Sequence, residues 1–184
     1  MRQKFDDEIC PKVAERFGIS NRLALPRLEK VIINVGIGKE LDGTKLRQQA
    51  KDQVLSDLTA IAAQKPVMIK ARKSVANFKV REGYEIGAMV TIRGTRMWEF
   101  VDRLLSLAIP RVKDFRGLSD KAFDKAGNYS IGIQEQGIFP EINMAEAQFS
   151  HGMNVNFVFS NSDPDQSRFV LEELGVPFVR EADN

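Results

Sequence analysis

Six cations and no carboxylate stand in the seventeen residues 65–81: Lys65, Lys70, Arg72, Lys73, Lys79 and Arg81. Lys70, Arg72 and Lys73 fall within four positions. Fixed cations neutralise phosphates and release their counterions, which is the chemistry of a nucleic-acid contact and not of a bond-breaking reaction. Ser74 and Asn77 add short polar groups for phosphate or ribose. Phe78, set amid this charge, could stack on a base or lie under the loop. The plainer alternative is a solvated basic loop. Asn34 interrupts the apolar run 31–37, where an amide is costly to bury without partners. It either points outward from a strand or serves recognition. Gln64 and Thr91 could share a sheet face and its edge with it, and neutral amides and hydroxyls can read base edges and 2′-hydroxyls.

Other chemistries lack their residues. Cys10 and His151 are the only cysteine and histidine, so an intrachain disulfide and a thiolate metal cluster are excluded and no metal site is expected. A Cys–His catalytic pair would require those two to meet, whereas Cys10 reads better as a small core residue. Gly36-Ile37-Gly38 follows a strand, but Leu41 stands where a dinucleotide loop needs its third glycine, so a turn or a close backbone approach fits better. Asp6/Asp7 and Glu172/Glu173 are neighbours on presumed helices, where adjacent carboxylates do not converge. No cofactor and no catalysis are expected.

The net charge of +2 conceals a polarised chain. Residues 65–96 carry net +6 and residues 135–184 net −7. The acidic end is a solvated face, or one that stays off RNA or meets a basic protein. No run approaches the roughly 18 apolar residues of a membrane span, and the N-terminus turns acidic where a signal peptide turns apolar. A cytosolic protein without membrane contact is expected. Two rival readings remain: a protein-interaction adaptor using the acidic third, and an enzyme acting on RNA or nucleotides.

These residues need positioning elements. Phe5, Ile9, Val13 and Phe17 predict a helix over 4–17, stopped by Gly18 and kinked or delayed by Pro11. The β-branched run over 28–38 predicts a strand. Leu46, Ala50, Val54, Leu58 and Ile61 share one face of a helix over 44–63, capped by Asp42 or Thr44. A second strand starts at 66–69, and a polar loop over 70–83 turns at Asn77 and Gly83. A third strand follows over 86–93. Trp98, Val101, Leu104 and Leu105 mark an amphipathic helix that Pro110 ends or bends. Tyr129, Ile131 and Ile133 alternate as a strand, as do Val155, Phe157 and Phe159 within 154–160. Asp163 and Pro164 open a last helix, with Phe169, Val170 and Leu174 inward and Gly175 at its end. Residues 134–150 fit no pattern. Strands among a few long helices, without a βαβ repeat, predict an α+β fold with helices on one sheet face, in one domain over 1–184.

The run Gln64-Lys65-Pro66-Val67, then Lys70-Ala71-Arg72-Lys73-Ser74-Val75-Ala76-Asn77-Phe78-Lys79-Val80-Arg81-Glu82-Gly83, is specific. So, in order, are Pro26-Arg27-Leu28-Glu29-Lys30, Asn34 with Gly36 and Gly38, Arg96-Met97-Trp98, Ile109-Pro110-Arg111, Gly127-Asn128-Tyr129 and Ile138-Phe139-Pro140-Glu141-Ile142. On these blocks the chain resembles, over nearly its whole length, the bacterial large-subunit ribosomal protein L-five family, the 5S rRNA binders. The resemblance implies a mainly antiparallel sheet with a protruding basic loop at about 72–83. It implies 5S rRNA binding through Asn34, Gln64 and Thr91, with Lys65, Lys70 and Arg93 supplying charge nearby. It implies peptidyl-site tRNA contact through Arg72, Lys73, Ser74, Asn77, Phe78, Lys79 and Arg81. The implied partners also include 23S rRNA, neighbouring central-protuberance proteins and a small-subunit head protein, on a cytoplasmic ribosome. The family often has glycine where this chain has Ala63, and alanine asks for an ordinary helical or turn backbone there.

Overall fold

The computed structural model describes residues 1–38, 41–42 and 45–179. Helix α1 is built from the consecutive segments Arg2–Lys4, Phe5–Ile9 and Cys10–Phe17, and it ends at Gly18 in the left-handed conformation (φ 66°). The middle segment is a π turn, in which the Cys10 N–H reaches back to the Phe5 carbonyl. Pro11 has no N–H to give and would crowd the carbonyl four residues earlier, so the helix widens by one residue just before it. The same device recurs in α3, which runs Gly94–Arg103, Leu104–Ala108 and Ile109–Arg111. There the Ile109 N–H bonds the Leu104 carbonyl immediately ahead of Pro110. Each proline is thus preceded by a π turn, and neither ends its helix on the spot.

Five strands form one antiparallel sheet: β1 (Arg27–Gly36), β4 (Val67–Lys70), β5 (Glu85–Ile92), β6 (Tyr129–Ile133) and β7 (Met153–Ser160), in the order β4-β5-β1-β7-β6. Alternation decides the faces. Val31, Ile33 and Val35 of β1, Ala88, Val90 and Ile92 of β5, Tyr129, Ile131 and Ile133 of β6, and Met153, Val155, Phe157 and Phe159 of β7 are buried. Asn34 and Thr91, set between such residues, are partly open. The α+β expectation therefore holds.

Helix α2 (Gln48–Ala62) buries Ala50, Val54, Leu58 and Ile61, the face its spacing predicts. Its start does not match. The strands β2 (Leu41–Asp42) and β3 (Lys45–Leu46) pair antiparallel, so residues expected to open the helix are committed to a ladder. The N-cap is Arg47, without a side-chain capping bond. Of the two expected caps, Asp42 belongs to β2 and Thr44 lies outside the described residues. Among the described residues the next α-helix after Gly36-Ile37-Gly38 begins only at Gln48, beyond β2 and β3, so the dinucleotide reading lacks its adjoining phosphate-binding terminus. Helix α4 (Pro164–Leu174) opens as expected, with the Asp163 carboxylate accepting the Gln166 N–H at 2.8 Å. Phe169 is half-buried and not inward: it meets Phe17 edge-on under the Arg16 guanidinium, while Ser167, Val170, Leu171 and Leu174 are buried.

Residues cluster into two compact units. The first comprises Met1–Val31, Arg93–Ile131 and Asn156–Asn184, and the second Ile32–Ile92 and Gly132–Val155.

Candidate nucleic-acid interface

The second unit holds Asn34, Gln64, Thr91 and the basic loop. Asn34 stands in β1 between buried Ile33 and Val35, so its amide leaves the sheet on the open face. Thr91 stands likewise in the neighbouring β5, between buried Val90 and Ile92. Asn34 thus points outward from its strand, a position that a recognition role also requires. Among the described residues its side chain makes no hydrogen bond, which leaves a donor and an acceptor for a partner.

Gln64 reaches the same sheet by a different route. β4 begins at Val67, opposite Met89. Two residues further along β5 the Thr91 carbonyl has passed the end of β4, and the Gln64 Nε2 donates to it at 3.2 Å. One polar tie thus fixes the amide against β5, and among the described residues its oxygen makes no hydrogen bond. Lys65 stands just before β4 and Lys70 is its last residue, both exposed. Arg93 is exposed one residue beyond β5, at the N-cap of α3.

The bend that sets Gln64 is made by Ala63, in the left-handed conformation at φ 49° and ψ 29°. This overturns the expectation of an ordinary backbone there. The side chain of Ala63 is strained in that region, and glycine would not be. Ala63→Gly is therefore expected to stabilise the chain by about 0.5–1 kcal/mol after the extra chain entropy of glycine is deducted. That is about 2 °C in melting temperature for a chain of this size. A lower melting temperature in the variant would refute the strain.

The basic loop is an ordered extension of the β4–β5 hairpin. At its root the Ala71 N–H donates to the Tyr84 carbonyl (2.8 Å), and the Gly83 N–H donates to the Ala71 carbonyl (2.9 Å). Further out, Val75 and Val80 exchange both backbone bonds, and a 3-10 turn, Ala76–Phe78, closes on left-handed Lys79. Ser74 serves this scaffold, because its Oγ accepts the Glu82 N–H at 2.9 Å. Its hydroxyl proton stays available. Phe78 lies at the tip, 74% exposed, which decides against a place beneath the loop. Arg72, Lys73, Asn77, Lys79 and Arg81 are exposed as well. Among the described residues, none of the six cations of 65–81 is paired with a carboxylate, so the loop offers its charge unspent.

Sequence reasoning passed over Asn154. It is exposed between buried Met153 and Val155 on β7, which neighbours β1, and its Oδ1 faces the side-chain-free backbone of Gly132. The alternation already seen at Val155, Phe157 and Phe159 was enough to find it.

The residues that could have done other chemistry are engaged elsewhere. The His151 Nε2 lies 3.0 Å from the Asp57 carboxylate, and its Nδ1 is buried without a partner, so no Cys–His pair forms. Cys10 is half-buried and not in the core. Burial above all, then the nearby Asp6 carboxylate, pushes its thiol up, against the milder opposite pull of Arg22 and Arg27. The described residues contain no group of three histidine, cysteine or acidic side chains able to hold a metal, and no helix long and apolar enough to cross a membrane.

The comparisons with known proteins agree in register and extent. Residues 21–81 match the family described as ribosomal protein L5, and residues 85–178 match the model of that ribosomal family's C-terminus. The large ribosomal subunit protein uL5 of Acidobacterium capsulatum is 47% identical over 182 residues, covering 99% of this chain and 98% of its own. That of Clostridium perfringens is 47% identical over 180 residues, covering 98% of each. That of an Anaeromyxobacter species is 46% identical over 178 residues, covering 97% of each. An open polar sheet face, an unspent basic loop and likeness of this extent lead to one conclusion: the chain belongs to the ribosomal protein L5 family, as a structural, non-enzymatic, cytoplasmic component of the large ribosomal subunit.

Proposed function

We propose that this chain anchors 5S rRNA in the large subunit through the open sheet face bearing Asn34, Gln64 and Thr91. The observation that carries this reading is the fixed set of neutral polar groups on β1, β5 and the turn before β4, with unpaired Lys65 and Lys70 alongside. Neutral amides can read ribose hydroxyls and base edges, and the lysines supply affinity. The loop carrying Arg72, Lys73, Ser74, Asn77, Phe78, Lys79 and Arg81 contacts peptidyl-site tRNA, with exposed Phe78 against a base and the cations on phosphates. 23S rRNA, neighbouring proteins of the central protuberance and a protein of the small-subunit head complete its surroundings.

Asn34→Ala, Gln64→Ala and Thr91→Ala combined are expected to weaken 5S rRNA binding by about a hundredfold, at roughly 1 kcal/mol for each lost hydrogen bond. Filter binding at fixed salt measures it, and a melting curve checks folding. Unchanged affinity in the folded triple variant would remove the recognition surface from this face.

A further inference from the structure

A cleft of about 470 Å³ opens in the first unit, within the roughly 300–1,000 Å³ of small-ligand sites. Its floor is apolar, with buried Phe5, Leu25, Leu28 and Met97 beside half-open Trp98. Three arginines stand around it: Arg2, Arg22 and Arg27. Two carboxylates also line it, but each has a partner. Asp6 pairs with Arg2 at 3.6 Å and Glu29 with Lys30 at 3.5 Å. Among the described residues, Arg22 and Arg27 have no carboxylate partner. Cys10 lines the cleft as well, and its raised pKa keeps the thiol neutral, so it adds no negative charge.

The two free guanidiniums sit on fixed backbone. Arg22 opens a 3-10 turn, Arg22–Ala24, which the Asn21 side chain holds by accepting the Leu23 N–H at 2.9 Å. Arg27 is the first residue of β1, directly after Pro26. Phe5 packs on Trp98 with ring centroids 5.1 Å apart, which steadies the indole at the cleft. The cleft also brings together two blocks of the sequence that carry the family resemblance, residues 26–30 and residues 96–98.

We propose that this cleft takes an unpaired nucleotide of ribosomal RNA, its phosphate on Arg22 and Arg27 and its base against Trp98. A guanidinium presents a planar fork that matches phosphate oxygens. An unstacked base needs an aromatic or apolar surface, and a half-open indole above buried side chains supplies one. The lining residues all belong to the first unit, whereas Asn34, Gln64 and Thr91 belong to the second. The proposal therefore does not rest on the 5S rRNA assignment.

Trp98 is the only tryptophan of the chain, so its fluorescence reports on this cleft. Titrating the full chain with a mixed-sequence single-stranded oligoribonucleotide is expected to quench that emission saturably. Arg22→Ala with Arg27→Ala should raise the half-saturating concentration at least about tenfold, since hydrogen bonds to charged groups are lost, while 5S rRNA affinity stays within about twofold. Arg22→Lys with Arg27→Lys should restore only part of the loss, because an ammonium keeps the charge without the fork. The variant lacking Asn34, Gln64 and Thr91 side chains should quench as the parent does. Quenching unchanged by the double alanine variant would overturn the proposal. So would a parallel loss of 5S rRNA affinity, which would make the cleft part of that surface. A response to polyglutamate but not to the oligoribonucleotide would also overturn it and identify an acidic protein segment as the occupant.

Discussion

Replacing Lys70, Arg72 and Lys73 together by alanine is expected to lower RNA affinity by about a hundredfold near physiological salt and to flatten its dependence on salt. The three side chains are exposed and unpaired among the described residues, so their loss removes no intramolecular ion pair and leaves the fold intact. The backbone bonds that order the loop, from Ala71 to Tyr84 and between Val75 and Val80, do not involve these side chains. What disappears is three sites of phosphate neutralisation. Each contributes about 0.7–0.9 to the slope of log affinity against log salt, so the slope should become shallower by about 2–3. Binding isotherms at several salt concentrations measure this directly. A weaker complex with an unchanged slope would mean that the phosphate contacts lie elsewhere and that the loss came from altered loop shape. Dividing the set tests the proposed assignment of 5S rRNA and tRNA to separate parts of the surface: Lys70 lies at the end of β4, whereas Arg72 and Lys73 lie in the loop. Lys70→Ala should weigh on 5S rRNA and the loop pair on tRNA.

Local pattern made part of this surface legible. The outward position of Asn34 follows from period-two alternation, because Ile33 and Val35 must both go inward. The buried face of α2 follows in the same way from spacing over several turns. Composition located the basic loop, since six cations without a carboxylate resist any core position. What stayed hidden depends on bonds between residues far apart in the chain. The β2–β3 pairing claims residues that a helical stripe would also accept, so periodicity alone put the start of α2 too early. The left-handed turn at Ala63 gives no compositional sign, because alanine is not a residue that favours it. The tie from Gln64 to the Thr91 carbonyl exists only because β4 stops two residues short. The arginine cleft gathers residue 2, residues near 25 and residue 98, and no window of sequence spans them.

Residues 134–150 show why a segment without periodicity can still be well defined, and they give the largest expected effect on stability. Gln136 is fully buried. Its Nε2 donates to the Phe149 carbonyl at 2.9 Å, and its Oε1 accepts the His151 N–H at 2.7 Å and, more weakly, the Ser150 hydroxyl at 3.3 Å. Gln53 of α2 grips the same stretch, donating to the Phe149 carbonyl at 2.8 Å and accepting the Gln148 N–H at 2.9 Å. The two amides replace a ladder, holding residues 148–151 in place just ahead of β7. Gln136→Ala strips the buried His151 N–H of its acceptor and leaves a void, at a cost of about 3 kcal/mol. For a chain of this size that is about 6–12 °C in melting temperature. The Phe149 carbonyl survives the change, because Gln53 still bonds it. The same holds in reverse for Gln53→Ala. Only the double variant leaves that carbonyl bare, so its destabilisation should exceed the sum of the singles by about 1 kcal/mol. Urea titrations of the four proteins measure the coupling. A strictly additive result would mean that the two amides act independently and do not share the Phe149 carbonyl.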